Sequence, residues 1–258
     1  MDAREVVTHL TTPLSAPPYP AVLNNRSREE LYKTGRFIDR EYLNIYYRTD
    51  PEALRRIVPE PLEIDDPVVR FEVMHMGDVG VSGPYTEAGI AVQVRFGEER
   101  GEYLHAMYLD SFSATVGGRE MSAYPKVSGQ PRLRVDNGTL VGELDVGSLR
   151  VATATMGYKH NALEPDEAAA QITVPTFMLK IVAGYDFQPR VADLVRTEIT
   201  NITVKQAWTG PARLQLFEHA LAPLADLPVQ EIVSASHILT DLSLSPIVPV
   251  FDYLSQGH

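Results

Sequence analysis

The sequence predicts one mostly antiparallel β domain, closed or barrel-like, with a few short helices. Three observations carry that expectation. Stretches of alternating polar and apolar residues recur along most of the chain, separated by Gly, Asn and Asp turn signals. Helix signals are few and short. Strand and helix signals do not alternate, which argues against a doubly wound fold. The chain has 258 residues, 44% apolar and 22% charged. That is an ordinary globular composition, long enough to bury a substantial core.

In chain order, residues 1–36 read as an irregular N-terminal arm. "TTPLSAPPYP" carries four prolines and "NNRSREELYKTGR" is polar. Residues 37–258 then form the single β domain. "REYLNIYYRTD" alternates as a strand. "TDPEALRRIVPEP" is the clearest helix: Asp50 is placed as N-cap, Pro51 at the first helical position and Pro59 as the stop. Strands follow at "VVRFEVMHM", "AGIAVQVRF", "EYLHAMYLD", "PRLRVD", "TLVGELD" and "SLRVATATMGY", with turns at "DNGT" and "DVGS". "SATVGGREM" reads as a helix weakened by two glycines. A further short helix is expected at "EPDEAAAQ", with Pro165 at its start. "TFMLKIVAG", "VRTEITNITVKQAW", "ARLQLFEH" and "QEIVSASHILTDLSL" complete the strands, the second of these as one long element. No repeat, low-complexity tract or linker divides the domain.

Composition excludes several function classes. With no cysteine, there is no disulfide framework, thiolate nucleophile or cysteine metal site. The net charge of −11 argues against nucleic-acid binding and against docking on anionic membranes. The N-terminus lacks a signal-peptide pattern and no window approaches a membrane span, so a cytoplasmic location is expected. No phosphate-cradling glycine loop, HExxH helix, GxSxG elbow or SxxK pair is present. The seven histidines are scattered. The acidic balance repels anions at long range, so a carboxylate substrate needs a local cation in its site.

Amine chemistry must use one of five lysines, because arginine does not deprotonate in proteins. Lys33 lies in the polar arm, and Lys205 on a polar-alternating strand reads as solvent-facing. Lys159, at a strand end, reads as a turn residue. Lys180, in apolar "TFMLKIV", reads as a strand lysine pointing outward or snorkelling. Lys126, in "SAYPKV", follows Pro125, with Tyr124 and Val127 placed to wall off its amine. Its neighbours permit activation without establishing it. An amine attacks a ketone only when neutral, and a free lysine near ~10.4 is almost fully protonated at pH 7. Burial lowers an amine by up to ~3–5 units. The resulting iminium is an electron sink that makes bonds beta to the former carbonyl breakable.

Period-two alternation in "VVRFEVMHM" puts Arg70, Glu72, Met74 and Met76 on one face and Val69, Phe71 and Val73 on the other. Glu72 is then either half of a solvated Arg70–Glu72 pair or a carboxylate inside an apolar cavity. Glu87, in "GPYTEAG", reads as a loop residue at the surface. Arg40 shares a face with Tyr42, Asn44 and Tyr46 and is a candidate for the local cation.

Taken together, the stretches "REYLNIYYRTDPEALRRIVPEPLEI", "VRFEVM", "YTEAG", "YLHAMYLD", "GREMSAYPK", "LRVATATMGYKH", "AWTGPARLQLFEHA" and "LPVQEIVSASHIL" resemble the acetoacetate decarboxylase family. They run in family order from about residue 40 to the C-terminus. The resemblance implies a Schiff-base lysine at Lys126, an active-site arginine at Arg40, and two catalytic glutamates at Glu72 and Glu87. Tyr124 joins Arg40 as an expected substrate contact. It implies a cone-like β-barrel in a large homo-oligomer, a small keto-acid substrate, and neither metal nor organic cofactor. Acetoacetate decarboxylase is itself a standing example of a lysine activated by desolvation or a neighbouring cation.

One position departs from the family motif, which has two successive lysines where this chain has Lys126 and Val127. At about 8 Å and an effective dielectric of about 20, a like charge contributes roughly 2 kcal/mol, about 1.5 pKa units. Desolvation contributes more. Successive side chains on extended backbone point to opposite sides, so a lysine at 127 points away from the pocket. Three functions follow. The first is cofactor-free decarboxylation of acetoacetate or a similar β-keto acid. The second is a Schiff-base aldolase-dehydratase joining pyruvate to an aldehyde. The third is a non-catalytic small-ligand binding protein.

Overall fold

The computed structural model describes residues 35–79 and 83–255. The expected N-terminal arm, Lys33 included, lies almost wholly outside them. The site is built by consecutive neighbouring strands. β1 (Arg36–Arg48) pairs antiparallel with β2 (Val68–Asp78), β2 with β3 (Tyr85–Phe96), and β3 with β4 (Glu99–Leu109). Short β5 (Lys126–Ser128) adds to β4 in parallel, which sets Lys126 opposite Met107.

α1 (Pro51–Ile57) forms as its sequence dictates. Asp50 caps it by accepting from the Glu52 amide at 2.8 Å, and Pro51 opens it. α2 (Phe112–Glu120) follows β4 and carries the two glycines within it. Three strands then make hairpins: β6 (Gln130–Asp136), β7 (Thr139–Val146) and β8 (Leu149–Gly157). The first turn places Asn137 and Gly138 at φ 44° and 79°, the left-handed pair that the Asn-Gly signal predicts. With β13 (Ala212–Leu216) these strands form a separate four-stranded sheet, in the order β13-β8-β7-β6.

The remaining strands and α-helix are β9 (Asn161–Ala162), α3 (Pro165–Ile172), β10 (Thr176–Ala183), β11 (Pro189–Thr197), β12 (Ile199–Thr209), β14 (Glu231–Leu244) and β15 (Val248–Asp252), with a 3-10 turn at Leu224–Asp226 before β14. The main sheet runs β15-β11-β10-β4-β3-β2-β1-β14-β12-β9, with β5 on β4. The β-rich, mainly antiparallel class is as expected. Among the described residues, only β10–β4 and β4–β5 are parallel pairs. Closure is not part of this pairing: the order has two ends, and four strands stand apart. The long strand expected over "VRTEITNITVKQAW" is two strands broken at Glu198, whose amide turns to Ser245 Oγ at 2.9 Å. β5, β9 and β15 carry too little pattern to be foreseen.

The two faces of the main sheet bury different things. Leu43, Val73 and Tyr47 point into a core shared with Leu140, Leu144 and Val151 of the small sheet. At Gly142 a Cβ would lie 2.8 Å from Val73 Cγ2, so the close approach of the sheets requires glycine there. Tyr42, Met74 and Met76 point the other way, into a second cluster with Met107, Ala123 and Met178. That second face holds the site.

Candidate active site

A cavity of about 90 Å³ opens on the second face. Its wall takes Arg40 and Tyr42 from β1, Glu72 from β2, Tyr85 and Glu87 from β3, Met107 from β4 and Lys126 from β5. Alternation explains the set: side chains two apart on each strand share the cavity face, and the antiparallel register stacks them. Glu72 sits opposite Gly89, and Met74 opposite Glu87.

Lys126 is 7% exposed, and its Nζ lies 2.5 Å from Glu87 Oε1. The contact is an ion pair by distance but is not aligned as a hydrogen bond, so that oxygen keeps accepting capacity. The Tyr124 and Tyr85 rings lie 5.2 and 5.5 Å from Nζ. Burial, with smaller contributions from the Glu87 carboxylate and the Tyr42 phenol, outweighs Arg40 and pushes the Tyr124 hydroxyl up to about 12. Tyr85 is pushed well above the usual range by burial and then by the charge of Glu87. Both phenols therefore stay protonated and available as donors.

Arg40 has no ion-pair partner among the described residues. Its guanidinium lies 4.8 Å from the Tyr42 ring centre, Nη2 is 2.9 Å from Met74 Sδ, and Nε has no hydrogen-bond partner. Burial opposes its charge, but Tyr42, Glu87, Glu72 and Tyr85 together raise its pKa above the ordinary value. The Tyr42 hydroxyl is buried without a partner and is pushed to about 12, mainly by burial. Two unengaged donors at one cavity, one of them on the unpaired cation Arg40, are costly unless a ligand meets them.

Arg70 is spent differently. It is clamped between Glu72 and Glu102, with Nε 3.0 Å from Glu102 Oε1 and close contacts from its two terminal nitrogens, one to each carboxylate. All three side chains are buried. Burial raises the Glu72 carboxyl above the ordinary value; Arg70 and Arg40 oppose this, while Glu102 and Glu87 add to it. Glu72 is therefore a carboxyl that holds its proton to higher pH than usual.

The acetoacetate decarboxylase family model matches residues 18–254. The chain belongs to the acetoacetate decarboxylase family. Named relatives agree over nearly full length. An acetoacetate decarboxylase of Clostridium acetobutylicum is 56% identical over 250 residues, covering 97% of this chain and 98% of that one. One from Streptomyces nogalater is 56% identical over 99% of this chain and all of its own length. A solved structure of acetoacetate decarboxylase, 54% identical, covers 98% of this chain and all of its own, with a TM-score of 0.85. The match begins at residue 18, within the stretch read from sequence as an arm.

Within this acetoacetate decarboxylase fold, all five residues expected at the site, Arg40, Glu72, Glu87, Tyr124 and Lys126, line one cavity. Three local expectations are corrected. Glu87 is not in a surface loop; it lies in β3 and is 1% exposed. The Arg70–Glu72 pair exists, but it is buried and shares Glu102. Val127 does not wall off the amine: it is 42% exposed, on the side away from buried Lys126. This is the geometry that extended backbone dictates, so a lysine at 127 would face outward too. Tyr85, Tyr42 and Glu102 join the site without having been expected there. Alternation through "YTEAG" would have paired Tyr85 with Glu87 had that stretch been read as strand. Of the other described lysines, none lines the cavity. Lys205 pairs with Asp39 and Asp241, and Lys159 lies over Trp208.

Proposed function

We propose that the protein decarboxylates acetoacetate, or a similarly small β-keto acid, to a ketone and carbon dioxide through a Schiff base on Lys126. The observation that carries this reading is a buried lysine amine at a small cavity, in contact with a carboxylate and walled by phenols, with an unpaired buried arginine in the same wall. Near-complete similarity to named acetoacetate decarboxylases supports it.

The steps follow from the residues. Glu87 is placed to take the Lys126 proton, which frees the lone pair to attack the ketone carbon. Loss of water leaves the iminium. The bond from the adjacent carbon to the carboxylate then breaks, its electron pair moves into the enamine, and carbon dioxide departs. A proton returned to that carbon, from Glu72 or Glu87, gives the ketone iminium, and water releases acetone and the free amine. Arg40 and the Tyr42 hydroxyl receive and orient the substrate carboxylate, supplying the cation that a chain of net charge −11 requires.

The reading includes a cone-like curl of the main sheet around the cavity. Thr197 of β11 and Ile199 of β12 come from near opposite ends of the strand order yet line the same wall. It also includes a large homo-oligomer and a cytoplasmic location, which the lack of cysteine suits. Among the described residues, no helix is long and apolar enough to cross a membrane. Product analysis tests the activity: acetoacetate should yield acetone and carbon dioxide in equal amounts, and Lys126→Ala should yield neither while remaining folded. An aldol product from pyruvate plus an aldehyde, with no carbon dioxide from acetoacetate, would overturn it. Light scattering after gel filtration tests the assembly.

A further inference from the structure

We propose that Lys180 is a positioning residue for Lys126, acting through the C-terminal turn of α2. The inference rests on the functional reading above.

From sequence, Lys180 is an ordinary strand lysine that points outward or snorkels. In the structure its ammonium is turned onto three main-chain oxygens: that of Arg119, that of Glu120 at 3.2 Å and that of Ser122 at 2.5 Å. An ammonium has three donors, and all three are used. Arg119 and Glu120 close α2, where a helix leaves its last carbonyls without partners and carries the negative end of its dipole. Lys180 is therefore a helix C-cap supplied from strand β10, 58 residues from its nearest partner.

The capped turn holds the Lys126 backbone and that of its neighbour Tyr124. Arg119 Nη1 donates to the Lys126 carbonyl at 3.1 Å, which fixes its backbone. The Gly118 carbonyl accepts from the Tyr124 amide at 3.2 Å, which sets the ring beside Nζ. Gly118 also gives room to the lysine stem: a Cβ there would fall 2.6 Å from Lys126 Cδ. β10 is a firm base for the cap. Met178, on the same face as Lys180, is fully buried, and Thr176 lines the cavity. One ammonium thus ties the cavity wall to the turn that sets where Nζ stands against Glu87. Lys180 touches no reacting atom, because it does not line the cavity.

Lys180→Met keeps the stem and removes every donor; Lys180→Gln keeps two. For each, steady-state decarboxylation, the rate of borohydride-trapped adduct formation at Lys126 with acetoacetate, and thermal melting are measured beside the unsubstituted protein. Misplacing a reacting group by about 1 Å costs up to ~10²-fold. Lys180→Met should lose roughly ten- to hundredfold in kcat and in trapping rate, with KM within about threefold, while melting as a folded protein. Lys180→Gln should fall between. Values of kcat and trapping within about threefold of the unsubstituted protein overturn the inference. So do two variants that are unfolded at the assay temperature, since Lys180 would then serve the fold rather than the site. An unsubstituted protein that forms no adduct at Lys126 overturns the functional reading as well, which separates the two failures.

Discussion

Gly118→Ala separates stability from catalysis at a single atom. Gly118 lies within α2, where alanine is favoured over glycine by about 0.5–1 kcal/mol. On helix propensity alone the substitution should leave the protein as stable or slightly more so. The added methyl has nowhere to go. It would stand 2.6 Å from Lys126 Cδ and 3.0 Å from Cε. Carbon atoms rest at roughly 3.5–4.0 Å, so Cδ must retreat by about 1 Å. The lysine stem is flexible and can do this without unfolding anything. The retreat moves Nζ from its 2.5 Å contact with Glu87 Oε1. A displacement of that size is worth on the order of 10²-fold in rate. The assay pairs a melting curve with kcat for acetoacetate: melting unchanged or raised, kcat lowered by one to two orders of magnitude. Unchanged kcat would show that the stem of Lys126 does not set the reaction geometry. A protein that melts much earlier would show that the clash falls on the fold.

Other perturbations separate the remaining parts of the site. Val127→Lys adds a charge on the exposed side of β5, so kcat should change by less than about threefold; tenfold or more would mean that position 127 acts on the amine after all. Arg70→Met leaves two buried carboxylates facing each other without their cation. Breaking such a pair costs about 3–5 kcal/mol, so melting should fall by roughly 10 °C, and a shift under about 2 °C would contradict the buried-clamp account. Glu72 gives a pH signature. Its folded pKa is raised by burial, so its stabilising contribution is full below the unfolded value of about 4.3 and is lost as pH rises through the folded value. The melting temperature of Glu72→Gln should therefore fall less across that window than that of the unsubstituted protein; parallel pH profiles would refute the assignment.

Much of this site was legible in the sequence because strand periodicity is strict. Alternation alone put Arg70, Glu72, Met74 and Met76 on one face, and opposite-side geometry correctly separated Lys126 from Val127. The Asp50–Pro51 helix start was equally local. What escaped depends on distant partners. Glu87 sits just past a Gly-Pro turn signal and next to Ala88 and Gly89, small residues whose burial comes from packing on both sides rather than from any alternation. The strand break at Glu198 is made by Ser245, 47 residues away. Lys180 has an apolar neighbourhood in sequence, yet its role is set by carbonyls on another element. Glu102 gave no local sign of pairing with Arg70, 32 residues earlier. The family resemblance supplied the residue set, and the fold supplied the reason that those residues meet.

The central claim is that one amine, Lys126, is the reagent. Incubation with acetoacetate, borohydride reduction and peptide mapping test it directly. The account predicts a single isopropyl-bearing lysine at position 126, formed at a rate that tracks decarboxylation. An adduct on Lys159, Lys180 or Lys205 instead, or decarboxylation with no trapped lysine, would contradict it.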